Sequence, residues 1–136
     1  MNSPTAFALT AFIAWTLALL LLMEVIRSRL VLARKVAANA FVPDNANLSP
    51  FMQRLARAHA NCLEGLPVFG GLMVVALLTR RTAVTDPLAY LLLAARIAQS
   101  TIHLVSVSAR AVTLRFAAFA VQVGIAVLWS YRLLAG

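Results

Sequence analysis

The chain has 136 residues, of which 62% are hydrophobic and 12% are charged, and its formal net charge is +8. Soluble domains carry about a quarter charged residues, so this composition excludes an ordinary soluble domain and predicts one integral membrane unit over residues 1–136. The basic residues stand mostly at the ends of apolar runs, as in loops that meet anionic lipid, which argues against nucleic-acid binding. The single cysteine, Cys62, excludes an internal disulfide and a cysteine-rich metal site.

The first apolar run is a predicted membrane span. Residues 4–23 contain no charged side chain, and such a run can cross a hydrocarbon core of about 30 Å. No basic residue precedes Arg27, and the run is longer than the apolar region of a signal peptide, so we expect a retained helix. We place this helix over residues 4–35. Glu24 and Arg27 are three residues apart, which predicts an ion pair on its surface.

The second predicted helix carries a polar stripe. A turn-rich loop precedes it, and Ser49 followed by a proline is typical of a helix start, so we place the helix over residues 50–79. Arg57, Asn61 and Glu64 stand at positions i, i+4 and i+7, which share one helical face. A polar stripe inside a membrane needs protein partners, water or a polar ligand, so this face predicts a functional or packing site.

The third predicted helix, residues 87–109, carries a second polar stripe. Arg96, Gln99 and His103 stand at i, i+3 and i+7 and again share a face. The fourth predicted helix, residues 111–134, contains small residues that permit close helix approach. Four spans therefore predict an all-α, four-helix membrane bundle in which polar faces meet.

The basic residues also predict the orientation of the chain. They are concentrated in the first and third connections, which we therefore expect in the cytoplasm, with both termini on the other side. The chain ends without an endoplasmic-reticulum return signal, so we expect a bacterial inner membrane. This orientation gathers the notable charged residues near one membrane face: Arg34, Arg57, Glu64, Arg96 and Arg110.

These residue types favour a zwitterionic ligand. Arginines pair with carboxylates through two parallel hydrogen bonds, a glutamate pairs with an ammonium group, and an arginine beside a thiol stabilises the thiolate. Two histidines and one cysteine at these spacings do not predict a metal site. The sequence also lacks a serine–histidine–carboxylate set and a glycine-rich phosphate loop.

The segment Arg57-Ala58-x-x-Asn61-x-x-Glu64-x-x-Pro67-x-Phe69 resembles the signature of the membrane-associated proteins in eicosanoid and glutathione metabolism (MAPEG). The likeness is greatest to microsomal glutathione transferases and leukotriene-forming synthases. Two further features resemble the family: the basic pair in Ala33-Arg34-Lys35, and Arg96 followed fourteen residues later by Arg110. With four spans in the same order, the resemblance covers essentially the whole chain.

The resemblance implies a homotrimer of four-helix bundles that holds glutathione between neighbouring subunits. Arg110 is then the residue that stabilises the glutathione thiolate, although Arg115 lies near enough to be an alternative. A lipophilic acceptor would reach the thiolate from the lipid side. Gln99 and His103 occupy positions where family members often carry tyrosines that contact glutathione. The implied glutathione ligands are Arg34, Arg57, Asn61, Glu64, Arg96, Gln99 and His103.

Three functions fit the sequence to different degrees. The first is a membrane glutathione transferase or peroxidase acting on lipophilic electrophiles or hydroperoxides. The second is a non-catalytic protein of the same fold that binds a ligand or partner, an alternative motivated by the missing tyrosines. The third is a small multidrug exporter, which depends on a glutamate deep in its first span, whereas Glu24 ends that span beside Arg27. Polar stripes that only hold helices together remain the simplest alternative.

Overall fold

The computed structural model describes residues 2–136, which form four long helices and no strand. Each helix is long and apolar enough to cross a membrane. The prediction of an all-α membrane bundle is therefore confirmed. We number the helices in chain order as α1 (Pro4–Leu32), α2 (Pro50–Leu78), α3 (Asp86–Val105) and α4 (Ala109–Leu134).

Serine caps fix where three of the helices begin. The hydroxyls of Ser3, Ser49 and Ser108 accept hydrogen bonds from backbone N–H groups three residues later, which satisfies donors that a helix start leaves free. The predicted start of the second helix at Ser49 is confirmed. The cap at Ser108 divides the third and fourth helices at residues 106–108, so α3 ends four residues earlier than predicted. Arg110 consequently lies on the first turn of α4 and not in the connection.

The first helix also ends earlier than predicted, at Leu32 instead of residue 35. Arg34 adopts a left-handed backbone conformation with φ of 56°. The N–H groups of Arg34 and Lys35 turn back to the carbonyls of Val31 and Leu30, which closes the helix in a Schellman motif. Both basic side chains therefore lie beyond the helix, on the connection to α2.

Within α2, the segment Leu66–Gly70 forms a π-helical turn between α-helical parts at Pro50–Gly65 and Gly71–Leu78. Pro67 explains this local widening, because proline has no N–H to donate to the carbonyl four residues earlier. Phe69, in the same turn, is buried in the bundle. The regular α-helical hydrogen bonding of α2 is therefore interrupted just after the polar stripe.

The bundle is built around α3, which packs against α1, α2 and α4. Large apolar side chains from all four helices are fully buried between them, including Phe12, Leu55, Met73, Leu92 and Trp129. Many other large apolar side chains face outward, such as Leu17, Val74, Phe116 and Val127. Outward apolar faces are expected where helices contact lipid or another membrane protein.

Polar contacts lock the two ends of the bundle. At the end where α1 begins, Asp86 Oδ1 accepts hydrogen bonds from the Ser3 hydroxyl and from the backbone and hydroxyl of Thr5. Arg81 at the same end donates to the carbonyls of Arg132 and Leu133, which completes the last turn of α4.

The other end holds the long first connection in place. Asn45 is fully buried, with φ of 54°, and donates to the Met52 carbonyl at 2.7 Å. Arg27 donates to Asn45 Oδ1 at 2.6 Å and pairs with Glu24 at 3.2 Å, so the predicted Glu24–Arg27 ion pair is confirmed. Arg54 donates to the Leu104 carbonyl at 2.9 Å, which fixes the start of α2 against the end of α3.

Candidate functional site

The two polar stripes meet at Asn61. Its side-chain oxygen accepts hydrogen bonds from Arg96 Nη1 at 2.6 Å and from Gln99 Nε2 at 3.2 Å. Asn61 lies on α2, whereas both donors lie on α3, so the contact joins neighbouring helices through their polar faces. The expectation that these faces pack together agrees with the structure.

The fourth helix extends this cluster through a residue that the sequence analysis did not single out. Gln122 is fully buried on α4, and its Nε2 donates to Gln99 Oε1 at 2.9 Å and to the Ala118 carbonyl at 3.0 Å. A single glutamine in the middle of an otherwise apolar run was the available signal, because a buried amide requires partners. We call Asn61, Arg96, Gln99 and Gln122 the polar cluster.

Arg96 is the most unusual member of the polar cluster. Its side chain is 1% exposed and lies between the rings of Phe12 and Phe69, with 5.3 and 5.5 Å from the guanidinium carbon to the ring centroids. Cation–π attraction compensates part of the lost hydration. Its Nε and Nη2 make no hydrogen bond, and no carboxylate among residues 2–136 forms an ion pair with it.

Gly65 makes room for this arginine. A Cβ atom at Gly65 would lie 2.7 Å from Arg96 Nη2 and 3.1 Å from the Phe69 ring, both shorter than normal contacts. A residue with a side chain at this position therefore has to displace the guanidinium. Gly65 follows Glu64 directly, so the glutamate of the signature is next in the chain to the glycine that leaves space for Arg96.

His103 lies within electrostatic range of three arginines, near the end of the bundle where α1 ends. His103 is buried and its Nε2 makes no hydrogen bond. Arg54, Arg57 and Arg115 lie close enough to interact with it electrostatically. This part of the molecule is accordingly electropositive, which suits an anionic group.

Two cavities adjoin the polar cluster and meet at Asn61 and Phe119. The larger has a volume of about 490 Å³ and lies between the π-helical turn of α2 and the second half of α4; it is mostly apolar, with Glu64 and Arg96 at its polar wall. The smaller has a volume of about 240 Å³ and is lined by Gln99 and Arg115. A mostly apolar cavity and a shallow, smaller one with both polar and apolar residues in its lining thus share one amide side chain.

The predicted site residues fall into four groups, of which three lie at or near the polar cluster and the cavities. Asn61, Arg96 and Gln99 are in direct contact, as described above. Glu64 is exposed in the larger cavity, and His103 is buried nearby. Arg57 is exposed and lines a separate cavity of about 300 Å³ at the bundle end, together with Arg54.

Arg34 and Arg110 lie outside the polar cluster. Arg34 is exposed on the first connection. Arg110 is exposed on the first turn of α4, in a shallow depression lined by Thr113 and Leu114. Arg115, one turn further along, instead shares a cavity with Asn61 and Gln99. Within one chain, Arg34 and Arg110 therefore do not share a cavity with Asn61, Arg96 or Gln99.

Cys62 occupies a packing position beside the cluster. It is fully buried, and its Sγ lies 3.2 Å from the Ser100 hydroxyl, which in turn donates to the Arg96 carbonyl. Cys62 also interacts electrostatically with Arg96. A fully buried cysteine is most often a small packing residue. Residues 2–136 contain no group of three or more histidine, cysteine or acidic side chains that could hold a metal ion.

Four membrane spans with a buried polar cluster beside an apolar cavity define an all-α integral membrane protein. The sequence model of the MAPEG family matches residues 5–135, so the chain belongs to the MAPEG family. This finding confirms the resemblance drawn from the signature on α2. Comparison with curated proteins and with solved structures gave no match. The family is glutathione-dependent in general and contains transferases, leukotriene synthases and non-catalytic members.

Proposed function

We propose that this protein is a membrane-bound glutathione transferase or peroxidase, which activates the glutathione thiolate for attack on lipophilic electrophiles or hydroperoxides. One observation carries the proposal: Asn61 of the family signature accepts hydrogen bonds from Arg96 and Gln99 and lines both a mostly apolar cavity and a smaller one that contains Gln99 and Arg115. A reaction between a polar thiol and an apolar acceptor requires the two to be held close together, and these neighbouring cavities offer a place for each.

The charged side chains supply complementary partners for each end of glutathione. Arg57 and Arg34 are suited to its carboxylates, because a guanidinium pairs with a carboxylate through two hydrogen bonds. Glu64 is suited to its ammonium group. Gln99 and His103 contribute hydrogen bonds at positions where relatives often carry tyrosines. Arg96 provides positive charge behind Asn61, with two nitrogens that no protein group satisfies.

We further propose that the working unit is a homotrimer with glutathione between subunits. Three predicted ligands support this assembly, because Arg34, Glu64 and Arg110 are all exposed on the isolated chain. An exposed glutamate on a membrane-spanning helix is unfavourable in lipid unless a neighbouring protein or ligand covers it. A second subunit would cover it and could bring its own arginine to the shared site.

Thiolate formation needs a cation near the sulfur, since a free thiol has a pKa of about 8.5. Arg110 is the candidate from the resemblance. Arg115 is the alternative, and its place in the cavity of Asn61 and Gln99 supports it within a single chain. The apolar cavity between α2 and α4 is the proposed approach for the acceptor. Away from Glu64 and Arg96, its lining is almost entirely apolar and includes Val68 and Val127.

Ultraviolet difference spectroscopy tests the proposal directly. Glutathione is titrated into the detergent-purified protein at neutral pH, beside Arg110→Ala and Arg115→Ala. A thiolate band that is lost only in Arg110→Ala assigns the activating role to Arg110, and loss only in Arg115→Ala moves it one turn along α4. Arg132→Ala, a basic residue at the far end of the same helix, serves as the matched control and should retain the band. Absence of both band and glutathione binding in the wild type would overturn the transferase proposal.

A second candidate is a non-catalytic member of the same fold. Gln99 and His103 in place of tyrosines favour it, as does the separation of Arg110 from the polar cluster. A purified trimer that binds glutathione but transfers it to no electrophile would support this candidate. An exporter is less favoured, because Glu24 is half-exposed and paired with Arg27 on the outer surface of α1.

The proposed location is a bacterial inner membrane with both termini outside the cytoplasm. The basic connections support this orientation, because positive residues are retained on the cytoplasmic side. Cysteine labelling of residues introduced at Asn2 and at Ala38 in intact cells would test it, with only the first expected to react with a membrane-impermeant reagent.

A further inference from the structure

Three side-chain amides form a chain from α2 to α4, and Arg96 fixes the direction of its hydrogen bonds. A guanidinium only donates, so the Asn61 atom 2.6 Å from Arg96 Nη1 is the oxygen. The Gln99 atom that contacts this oxygen must then be the nitrogen. Gln99 consequently presents its own oxygen to α4, where Gln122 meets it with a nitrogen.

The far end of the chain requires the same direction independently. Gln122 Nε2 also donates to the Ala118 carbonyl at 3.0 Å, and a carbonyl only accepts. Gln122 is fully buried, and its Oε1 has no hydrogen-bond partner. Leaving a buried acceptor unpaired is unfavourable, yet reversal of the Gln122 amide would break both of its donated bonds. The two ends thus agree on one orientation for every amide.

The direction of the amide chain determines which atom of Asn61 is left to bind a ligand. Its oxygen already accepts two hydrogen bonds, whereas its Nδ2 donates to no group among residues 2–136. Asn61 lines both cavities. The amide chain therefore presents hydrogen-bond donors, and not an acceptor, to whatever occupies them.

We propose that Gln122 is a positioning residue that, through Gln99 and together with Arg96, keeps Asn61 oriented as a hydrogen-bond donor, so that the ligand group bound at Asn61 is an acceptor such as a carboxylate or carbonyl oxygen. Gln122 acts through Gln99 and lies one residue further from the ligand. Without it, the Gln99 amide loses its partner on α4 and is held less firmly against Asn61 Oδ1, which leaves Arg96 as the remaining well-ordered donor to that oxygen. The identification of the ligand as glutathione rests on the proposed function; the direction of the amide chain does not.

A double-mutant cycle on the full-length, detergent-purified protein tests this role. Gln122→Met and Gln99→Met keep side-chain length and remove the amide, and the double variant combines them. Calorimetric titration with reduced glutathione measures affinity. We expect Gln122→Met to raise Kd about fivefold in the wild-type background, as for loss of one hydrogen bond, and less than twofold in the Gln99→Met background. If a transfer activity is found, KM should rise with kcat unchanged.

Thr16→Val is the matched control, because Thr16 is also buried in a span but bonds only to the Phe12 carbonyl of its own helix. It should leave Kd unchanged. An equal loss of affinity from Gln122→Met in both backgrounds, or no loss in either, would overturn the positioning role.

Unfolding of the same four proteins without ligand separates this inference from the proposed function. If the wild type binds no glutathione, the proposed function fails while the amide chain is still measured. Non-additive changes in unfolding midpoint for Gln99→Met and Gln122→Met then support the chain. Additive changes reject it.

Discussion

The group of polar side chains around Asp86 and the polar cluster differ in how completely their hydrogen bonds are satisfied. Where α1 begins, Asp86 accepts from Ser3 and twice from Thr5, and the buried hydroxyls of Thr5 and Thr85 meet at 2.6 Å. In the polar cluster, Arg96 keeps two nitrogens unpaired and Asn61 keeps its amide nitrogen free. Satisfied groups add stability, whereas unpaired donors beside a cavity lower it and are available to a ligand. The first cluster therefore fastens helices, and the second is arranged for binding.

The largest expected effect that separates the two clusters comes from Arg96→Met. Removal of a buried charge without a counter-ion should leave the unfolding midpoint unchanged or raise it. Loss of the positive charge and of the Asn61 contact should weaken glutathione binding about 100-fold, since charge-assisted hydrogen bonds contribute about 1.5–3 kcal/mol. Titration calorimetry and thermal unfolding measure the two quantities.

Arg81→Met is the matched control for that substitution. Arg81 donates to the last carbonyls of α4, so its removal should lower the midpoint and leave affinity intact. If Arg96→Met instead unfolds the protein, the arginine is structural and the contrast between the clusters is wrong.

Asp86→Ala probes the satisfied cluster. It removes the acceptor of three hydrogen bonds and leaves the Thr5 and Ser3 donors without their partner. We expect the free energy of unfolding to fall by about 2 kcal/mol, with glutathione affinity unchanged. Asp86→Asn keeps one oxygen acceptor and should fall by less. A change in affinity larger than twofold in either variant would show that the two clusters are coupled.

Gly65→Ala sharpens the comparison from the backbone side. The added Cβ would lie 2.7 Å from Arg96 Nη2, so the guanidinium has to shift and its hydrogen bond to Asn61 weakens. We expect affinity for glutathione to fall about tenfold, while the better helix propensity of alanine, about 1 kcal/mol, offsets the crowding in stability. Gly71→Ala is the control, because its added Cβ meets nothing within 4 Å. Equal affinities for the two variants would contradict the fit between Gly65 and Arg96.

The sequence predicted the spans and the polar faces because both depend on local periodicity. Apolar runs near twenty residues and the spacings of Asn61, Arg96 and Gln99 were sufficient to place these residues on facing helices. The helix ends were less well predicted. The left-handed turn at Arg34 and the cap at Ser108 depend on a few backbone hydrogen bonds, which also moved Arg110 onto α4.

The interior of the site was not predictable from local patterns. The seat of Arg96 requires Phe12 from α1, Gly65 and Phe69 from α2, three positions brought together only by the bundle. Gln122 shares a helical face with Arg115, seven residues earlier, but this spacing does not indicate which neighbouring helix supplies its partner. Its partner Gln99 lies 23 residues away. Periodicity predicts which face of a helix is polar, and only the tertiary structure defines which neighbour satisfies it.

The smallest expected effect on function comes from substitution of Cys62, which is next to Asn61 of the polar cluster. Cys62 follows Asn61 in the chain and is fully buried, with Sγ 3.2 Å from the Ser100 hydroxyl. Cys62→Ala should lower the free energy of unfolding by about 1 kcal/mol through the small cavity it leaves, and it should change glutathione affinity and any transfer rate less than twofold. Thiol-reactive reagents should leave the folded wild type unmodified. A large loss of transfer activity with affinity retained would instead give the buried thiol a chemical role. The polar cluster would then not only bind a ligand but also adjoin a reacting group of the protein itself.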